Sequence, residues 1–535
     1  MSVIPRFRLS HFVAALCLSG VMGLGSQASA QVTAFKQAVA EGVSRNAKIA
    51  AFYRAQDFAP IWTGSDDAAR LRRIALIEGF RGAAAHGLPE AKYDPETIIA
   101  RLGAAGTARA RGQLEVALTE LFLDFAGDIQ TGILTPANVD EGIKRIAPLR
   151  DAGAYLQGIT GDDPRGFVQS LSPETPEYLR LIKAKMDLQR DLAAGGWGQA
   201  VPAKALKPGE TGRSVIVLRN RLIAMGYLPR SVSATYDSAM QKAVQTFQEN
   251  HGLTSDGVAG PTTIQAINVP LERRLKSVIV AMERERWLNL PRGDRHVLVN
   301  ITDFHARIID FGIVTFQTRS VVGHKDLDRR TPEFSDVMEH LVVNPTWNVP
   351  RSIATKEYLP AFKRNANSNR HLKLINSRGQ VVDRSQIDFS AYNERNFPFD
   401  LKQPPSNRNA LGLVKFIFPN RYNIYLHDTP AKSLFKRETR AFSHGCIRLA
   451  DPFDFAYALL AKQEAEPKSF FQSILRTGRE TIVPLDTQVP VHLIYRTAVT
   501  QAKGRINFRP DVYGRDAKVW SALERAGVSL DAVQG

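Results

Sequence analysis

The run Ser443-His444-Gly445-Cys446-Ile447-Arg448 sets a thiol beside an imidazole and a glycine, and a second histidine, His427, stands nineteen residues before the cysteine. A thiolate is the reactive form of cysteine, and an imidazole within reach either lowers the thiol's pKa or takes its proton as attack begins. Gly445 lets the backbone come close, so the amides of Gly445 and Cys446 are expected to face the oxyanion of a tetrahedral intermediate. Together these residues form a nucleophile-and-base arrangement. Two other uses of the same residues were weighed. A buried inert thiol is the common fate of cysteine. Zinc held by His427, His444 and Cys446 would ask for three or four ligands with short paired spacings, and no such pair is present.

The elements that must position these groups change character along the chain. Beyond Glu272 the pattern alternates, with Val297, Val299 and Ile301 on one side and Leu298, Asn300 and Thr302 on the other, which predicts a β-rich domain. Further strands are predicted at 307–311, 318–322, 341–343, 413–418 and 423–426, rich in β-branched or aromatic residues and broken by turn formers. The polar stretch 351–408 interrupts them and reads as an insertion that caps the site, since long loops in compact domains tend to be functional.

Before that domain the chain is helical. From Gln31 to Gly195 apolar residues recur at three and four, as in Leu114, Ala117, Leu118, Leu121, Phe122 and Phe125. His86-Gly87-Leu88-Pro89 reads as a helix stop, which makes His86 a capping or packing residue. From Lys207 to Pro270, a helix over 215–225 and another over 238–251 are followed by the turn Asp256 to Thr263 and a third short helix.

With 535 residues, 44% of them apolar, the chain has material for more than one core. Residues 1–30 show Arg6 and Arg8, an apolar run from Phe12 to Leu24, and Ala28-Ser29-Ala30, the order of a secretory leader cleaved before Gln31. The apolar run is shorter than the roughly 20 residues that span a bilayer. Cys17 follows Leu16 inside that run, a poor context for lipidation, and its removal leaves Cys446 as the sole cysteine of the exported chain. The formal charge of +17 is spread rather than gathered, which suits polyanionic wall material better than nucleic acid.

Two resemblances follow. The phrase FQENHGLTSDGVAGPTT is similar to the hallmark of three-helix peptidoglycan-binding domains, which implies a glycan or stem-peptide surface. The Ser443 to Arg448 segment with His427 resembles the signature of the YkuD-type L,D-transpeptidase catalytic domain. The phrases VVNPTWNVP, NALGLVKFIFPN and DVYGRD resemble the large periplasmic YcbB-like subgroup, which also carries a helical scaffold and a capping insertion. One departure is Pro405-Ser406-Asn407-Arg408, where the subgroup has a Pro-Gly-Pro turn before Asn-Ala-Leu-Gly.

The resemblance implies Cys446 as the acylated nucleophile and His427 as the base, oriented by the backbone carbonyl of Asp428, with His444, Gly445 and Ser443 in support. It places Arg448, Trp347 and Tyr425 at substrate, and a guanidinium at 448 suits a carboxylate. The fold expected is multidomain α+β: a leader (1–30), a helical scaffold (31–200), a peptidoglycan-binding domain (207–270), a catalytic domain (272–500, insertion about 351–408) and a C-terminal tail (501–535).

The expected reaction crosslinks diaminopimelate residues of peptidoglycan stem peptides in the periplasm, against the wall, with release of D-Ala. No cofactor, metal or nucleic acid is called for. Partners would be the wall itself and other wall-synthesis proteins, and carbapenem lactams would be inhibitors. An L,D-carboxypeptidase or endopeptidase using the same thioester, and a non-catalytic wall-binding scaffold, are the alternatives.

Overall fold

A computed structural model describes residues 33–502 and 504–530; the leader, its cleavage site and Cys17 lie outside the described residues. Helix α1 (Asp67–Gly82) and helix α2 (Ala108–Thr131) carry the helical arm. The three- and four-residue spacing in α2 puts Leu114, Leu118, Phe122 and Phe125 on one buried stripe against Trp62, Phe80 and Tyr93. On the same helix Glu115 is fully buried, and its carboxylate accepts from the Tyr53 hydroxyl and the backbone N–H groups of Ile61, Trp62 and Thr63. That pins the aromatic segment before α1 to α2. His86 packs as expected, its Nδ1 3.0 Å from the Tyr178 hydroxyl.

Helix α3 (Pro176–Ala193) leads to a compact three-helix unit of α4 (Arg213–Ala224), α5 (Ser238–His251) and α6 (Pro261–Ile267). This unit has its own core of Leu218, Leu222, Val244, Phe247 and Ile264. Helix α7 (Leu271–Trp287) then runs from it into the sheet domain. Four consecutive charged residues of α7, Glu283 to Arg286, are all buried. Each has a partner. Glu283 pairs with Arg286 at 2.6 Å, Glu285 with Arg292 at 2.6 Å and with Arg496, and Arg284 with Glu333 and with Asp516 at 3.2 Å.

Beyond α7 lie β1 (Arg295–Asn300), β2 (His305–Asp310), β3 (Ile313–Gly323), β4 (Phe334–Val343) and β5 (Trp347–Asn348). After the strands of the insertion, β6 (Lys373–Ile375), β7 (Val381–Val382) and β8 (Asp400–Gln403), come β9 (Val414–Ile417), β10 (Leu426–His427), β11 (Ala441–Ser443), β12 (Ile447–Leu449) and β13 (Thr481–Ile494). The main sheet runs β11-β3-β12-β10-β9-β4-β13-β1-β2, and β2 pairs again with β3, so the sheet closes on itself as a barrel. Closure leaves few edges exposed. Helices α8 (Pro452–Leu460) and α9 (Pro467–Arg476) add Phe455, Leu459 and Phe471 to the barrel's core.

Three sequence expectations are corrected. The long strand β13 sits between β4 and β1, where no strand is predicted; it carries Pro484 opposite His340 at the start of a register shift that ends at Val489, and Pro490 opposite Val337. The strand expected over 423–426 begins only at Leu426, since Asn423 has φ of 54° and Asn420 Oδ1 holds the amides of Tyr422 and Ile424 in a turn. The stretch from 501, expected as a tail, is built in: Asn507 and Phe508 pair with Val499 and Ala498, and α10 (Arg515–Arg525) packs on α7.

The insertion is a small body of its own. Its sheet runs β5-β8-β6-β7 over a core of Leu359, Phe362, Leu374, Phe389 and Phe397. A helical run over 351–364 contains a wider π turn at Ala354–Tyr358, a form that frequently marks functional sites. The departing loop at 405–408 is fixed by Asn409, fully buried, whose side-chain amide lies 3.0, 3.1 and 3.0 Å from the carbonyls of Pro345, Gln403 and Pro404.

Glu333 joins these bodies. It meets both Arg284 of α7 and Arg515 of α10, the latter at 3.2 Å. Removing one partner of a buried pair leaves an uncompensated charge, at a cost of about 3–5 kcal/mol. Glu333→Ala is expected to lower unfolding stability by that amount in urea denaturation; a change under about 1 kcal/mol would show that the two guanidiniums find other partners.

Candidate active site

Strand register assembles the site. His427 lies opposite Lys415 of β9 on one side and Arg448 of β12 on the other. Side chains alternate along a strand, so Cys446 shares a face with Arg448, and Tyr425 with His427. The intervening Leu426 and Ile447 are fully buried in the barrel's core. The other face therefore presents Lys415, His427 and Arg448 as a row across three strands, with Tyr425 and Cys446 one step along it. The Tyr425 and His427 rings meet edge to face at 5.6 Å.

The imidazole is held in one tautomer. Its Nδ1 lies 2.5 Å from the Asp428 carbonyl, which can only accept, so Nδ1 carries the proton and Nε2 remains as an acceptor. The Asp428 carboxylate is engaged elsewhere, accepting from the amides of Leu413 at 2.9 Å and Thr429 at 2.7 Å and from Lys432 at 2.7 Å. Burial, then Arg448, lower the His427 pKa to about 3, against the pull of the Asp428 and Leu411 carbonyls. The ring is neutral at neutral pH.

Cys446 keeps partial exposure. Its Sγ lies 3.4 Å from the Asn423 carbonyl. Burial pushes the thiol up to about 11, while hydrogen bonding to Tyr425 and the charges of Arg448 and Lys415 pull it down. Among the described residues no hydrogen bond joins Sγ to the imidazole. A neutral thiol facing a neutral ring suits proton transfer during attack rather than a standing ion pair.

The loop around Cys446 is tightly bonded. Gly445 N–H donates to Ser443 Oγ at 3.1 Å, Ser443 Oγ donates to the Cys446 carbonyl at 2.5 Å, and Thr331 Oγ1 donates to the Gly445 carbonyl at 2.7 Å. The expectation that both Gly445 and Cys446 amides face an oxyanion is corrected: the Gly445 amide is taken within the loop, which leaves that of Cys446. Gly445 has φ of 114°, a conformation side chains avoid, and a Cβ there would lie 3.0 Å from Ile424 Cδ1.

The remaining predicted residues fall in different places. His444 is exposed and points away from the row, its Nε2 2.6 Å from Glu357 of the insertion's π turn, and Glu357 also holds Arg329 at 3.0 Å. Trp347 is packed within the insertion's core, 8% exposed and edge to face with Tyr358 at 6.2 Å, so it supports the cleft from behind rather than presenting an open surface. Tyr425 packs against both the barrel core and the insertion core. Lys415, Thr331, Asn423 and Glu357 escaped the sequence reading; Lys415 stood in a quoted phrase, but only cross-strand register reveals what it faces. Among the described residues no cluster of three or more His, Cys, Asp or Glu is placed to hold a metal ion.

Comparison with known proteins gives three domain matches: residues 47–184 with the scaffold domain, 211–267 with the "Putative peptidoglycan binding domain", and 294–483 with the L,D-transpeptidase catalytic domain, YkuD. A Haemophilus influenzae protein described as "Putative L,D-transpeptidase" is 29% identical over 299 residues, 55% of this chain and 58% of that one, so the match spans little more than half of either. A crystal structure of an L,D-transpeptidase from Xylanimonas cellulosilytica aligns at 15% identity over 55% of this chain and 98% of that one, with a TM-score of 0.17 that carries no argument.

The raised thiol pKa has a kinetic signature. Without substrate, Cys446 is expected to react with iodoacetamide more slowly at pH 7 than free cysteine, whose pKa is about 8.5. The rate should climb about tenfold per pH unit towards pH 10, since only the thiolate reacts. Arg448→Met, which removes a cation that favours the thiolate, should slow it further. A rate already level below pH 7 would contradict this environment.

Proposed function

We propose that this chain, which carries a YkuD-type L,D-transpeptidase catalytic domain beside a peptidoglycan-binding domain, crosslinks peptidoglycan stem peptides through a thioester on Cys446. The observation that carries this reading is the imidazole of His427, fixed with Nδ1–H on the Asp428 carbonyl and sharing a sheet face with Cys446. It leaves Nε2 as the proton acceptor that a neutral thiol needs.

In this mechanism Sγ attacks the carbonyl carbon of the third-position diaminopimelate in a donor tetrapeptide while its proton passes to His427 Nε2. The oxyanion forms opposite the Cys446 amide. Collapse breaks the amide bond, and His427 returns the proton to the departing nitrogen of D-Ala. The thioester keeps the acyl group activated, so no nucleotide is consumed. The side-chain amine of a second stem's diaminopimelate then gives a proton to His427, attacks the thioester and releases the thiol, leaving a third-to-third crosslink.

Arg448 and Tyr425 bind the donor, and Ser443, His444 and Gly445 hold the loop. The leader read at 1–30 fits export to the periplasm, where the wall is the substrate; among the described residues no helix is long and apolar enough to cross a membrane.

Two measurements test the reading. Disaccharide-tetrapeptide incubated with the mature protein should yield crosslinked dimers with loss of D-Ala, and none with Cys446→Ala. Tripeptide without dimers would make the protein an L,D-carboxypeptidase, and no Cys446-dependent product would leave a wall-binding scaffold. A carbapenem should add its mass to the intact wild-type protein and not to Cys446→Ala; a folded wild-type protein that gains no mass would refute a nucleophilic Cys446.

A further inference from the structure

Charged groups buried in this protein have partners almost everywhere. Arg284, Arg286, Arg496 and Arg515 each meet a carboxylate. Two cations beside Cys446 break the pattern. Arg448 is half-buried, joins no ion pair or side-chain hydrogen bond among the described residues, and has a buried Nε without an acceptor. Lys415 is half-buried too, joins no side-chain hydrogen bond or ion pair among the described residues, and lies over the Tyr425 ring, 6.0 Å from Nζ to the centroid. The carboxylate that Lys415 senses besides the thiol is Glu480, an exposed residue whose Oε2 is turned to the amide of Thr346. Between the two cations stands His427, neutral and in register with both.

An unpaired cation at a half-buried position is costly, and two flanking one neutral imidazole indicate an anionic ligand that completes them. Adjacent strands lie about 4.8 Å apart, so the backbones at 415 and 448 are separated by about 10 Å. That span suits two well-separated carboxylates of one extended ligand better than a single carboxylate. A donor stem offers such a pair: the terminal carboxylate of the leaving D-amino acid, and the side-chain carboxylate of the diamino acid whose carbonyl is attacked.

We propose that Lys415 is a substrate-binding residue, and that Lys415 and Arg448 form a clamp across His427 that grips two carboxylates of the donor stem. The inference rests on the acyl-transfer reading for the identity of the ligand. Because the clamp acts in binding, it is tested apart from the chemistry. The clamp also sets specificity: a stem with one of these carboxylates amidated loses one grip.

The experiment titrates three disaccharide-tetrapeptides into Cys446→Ala and into Cys446→Ala with Lys415→Met, by calorimetry. One donor has both carboxylates free, one has the terminal carboxylate amidated, and one has the side-chain carboxylate amidated. Lys415→Met should weaken binding of the free donor roughly 10- to 100-fold, the range of a charge-assisted hydrogen bond. Lys415→Arg should restore most of it. The loss should vanish on one of the amidated donors, which identifies the carboxylate that Lys415 holds. An equal penalty on all three donors, or none on the free one, overturns the clamp. A wild-type protein that binds the donor but is never acylated by it would overturn the acyl-transfer reading and leave the clamp standing.

Discussion

Glu333 lies between the guanidiniums of Arg284 and Arg515, with all three side chains buried. Its backbone also bridges to the segment at Gly142 and Lys144, which comes from the helical arm. One residue, through its carboxylate and its backbone, thus gathers the arm, the helix that leaves the three-helix unit, the last helix of the chain and the barrel. Arg515 continues the path by donating to the Thr331 carbonyl at 3.1 Å, and Thr331 Oγ1 donates to the Gly445 carbonyl beside Cys446. Tyr513 of the same C-terminal phrase donates to the Gly323 carbonyl at 2.6 Å. Apolar packing alone would tolerate sliding between these bodies, whereas charged groups without water accept few alternative partners. The position of the Cys446 loop is therefore set from far outside the barrel.

The site inverts that logic. Its thiol and imidazole are both held neutral by burial, and its two nearest cations are left without anions. Arg448 disfavours protonation of His427 and favours the thiolate of Cys446, so the same charge acts in opposite senses on the proton affinities the two groups would need for proton transfer. The balance changes when a carboxylate arrives. An anion against Arg448 offsets its charge and raises the proton affinity of His427, the direction needed for the ring to take the thiol's proton. Anion binding and the proton affinity of the imidazole are then coupled through one guanidinium.

What the sequence could and could not reveal follows from the range of each interaction. The α2 stripe and the limits of α5 come from contacts within a few residues, and so were legible. The carbonyl that fixes His427 belongs to the next residue, and it was legible too once the signature was seen. Lys415 was not, because it meets His427 only through strand pairing. The burial of the charged run Glu283 to Arg286 was not legible, because each of its ion-pair partners except Glu283 and Arg286 themselves lies outside the helix. Strand β13 carries two prolines, residues uncommon within a sheet, and its place between β4 and β1 is set by pairing distant in sequence. Gly445 was noticed for its freedom, yet the use of its amide depended on where the Ser443 hydroxyl turned.

The insertion has an electrostatic role as well as a steric one. Tyr425 packs into its core, and Glu357 on its π turn holds His444 of the nucleophile's loop and Arg329 at once. Water over the strand face would screen Lys415 and Arg448 and relieve the burial that keeps thiol and imidazole neutral. With the insertion docked, the same charges act through a medium of lower polarity, and a carboxylate brought between them is held more strongly. Because Glu357 and His444 are both solvent-accessible, that docking contact is weak beside the buried pairs of α7. The buried ion pairs thus lie where the helical arm, α7, α10 and the barrel meet, and a weaker, exposed one lies between the insertion and the Cys446 loop.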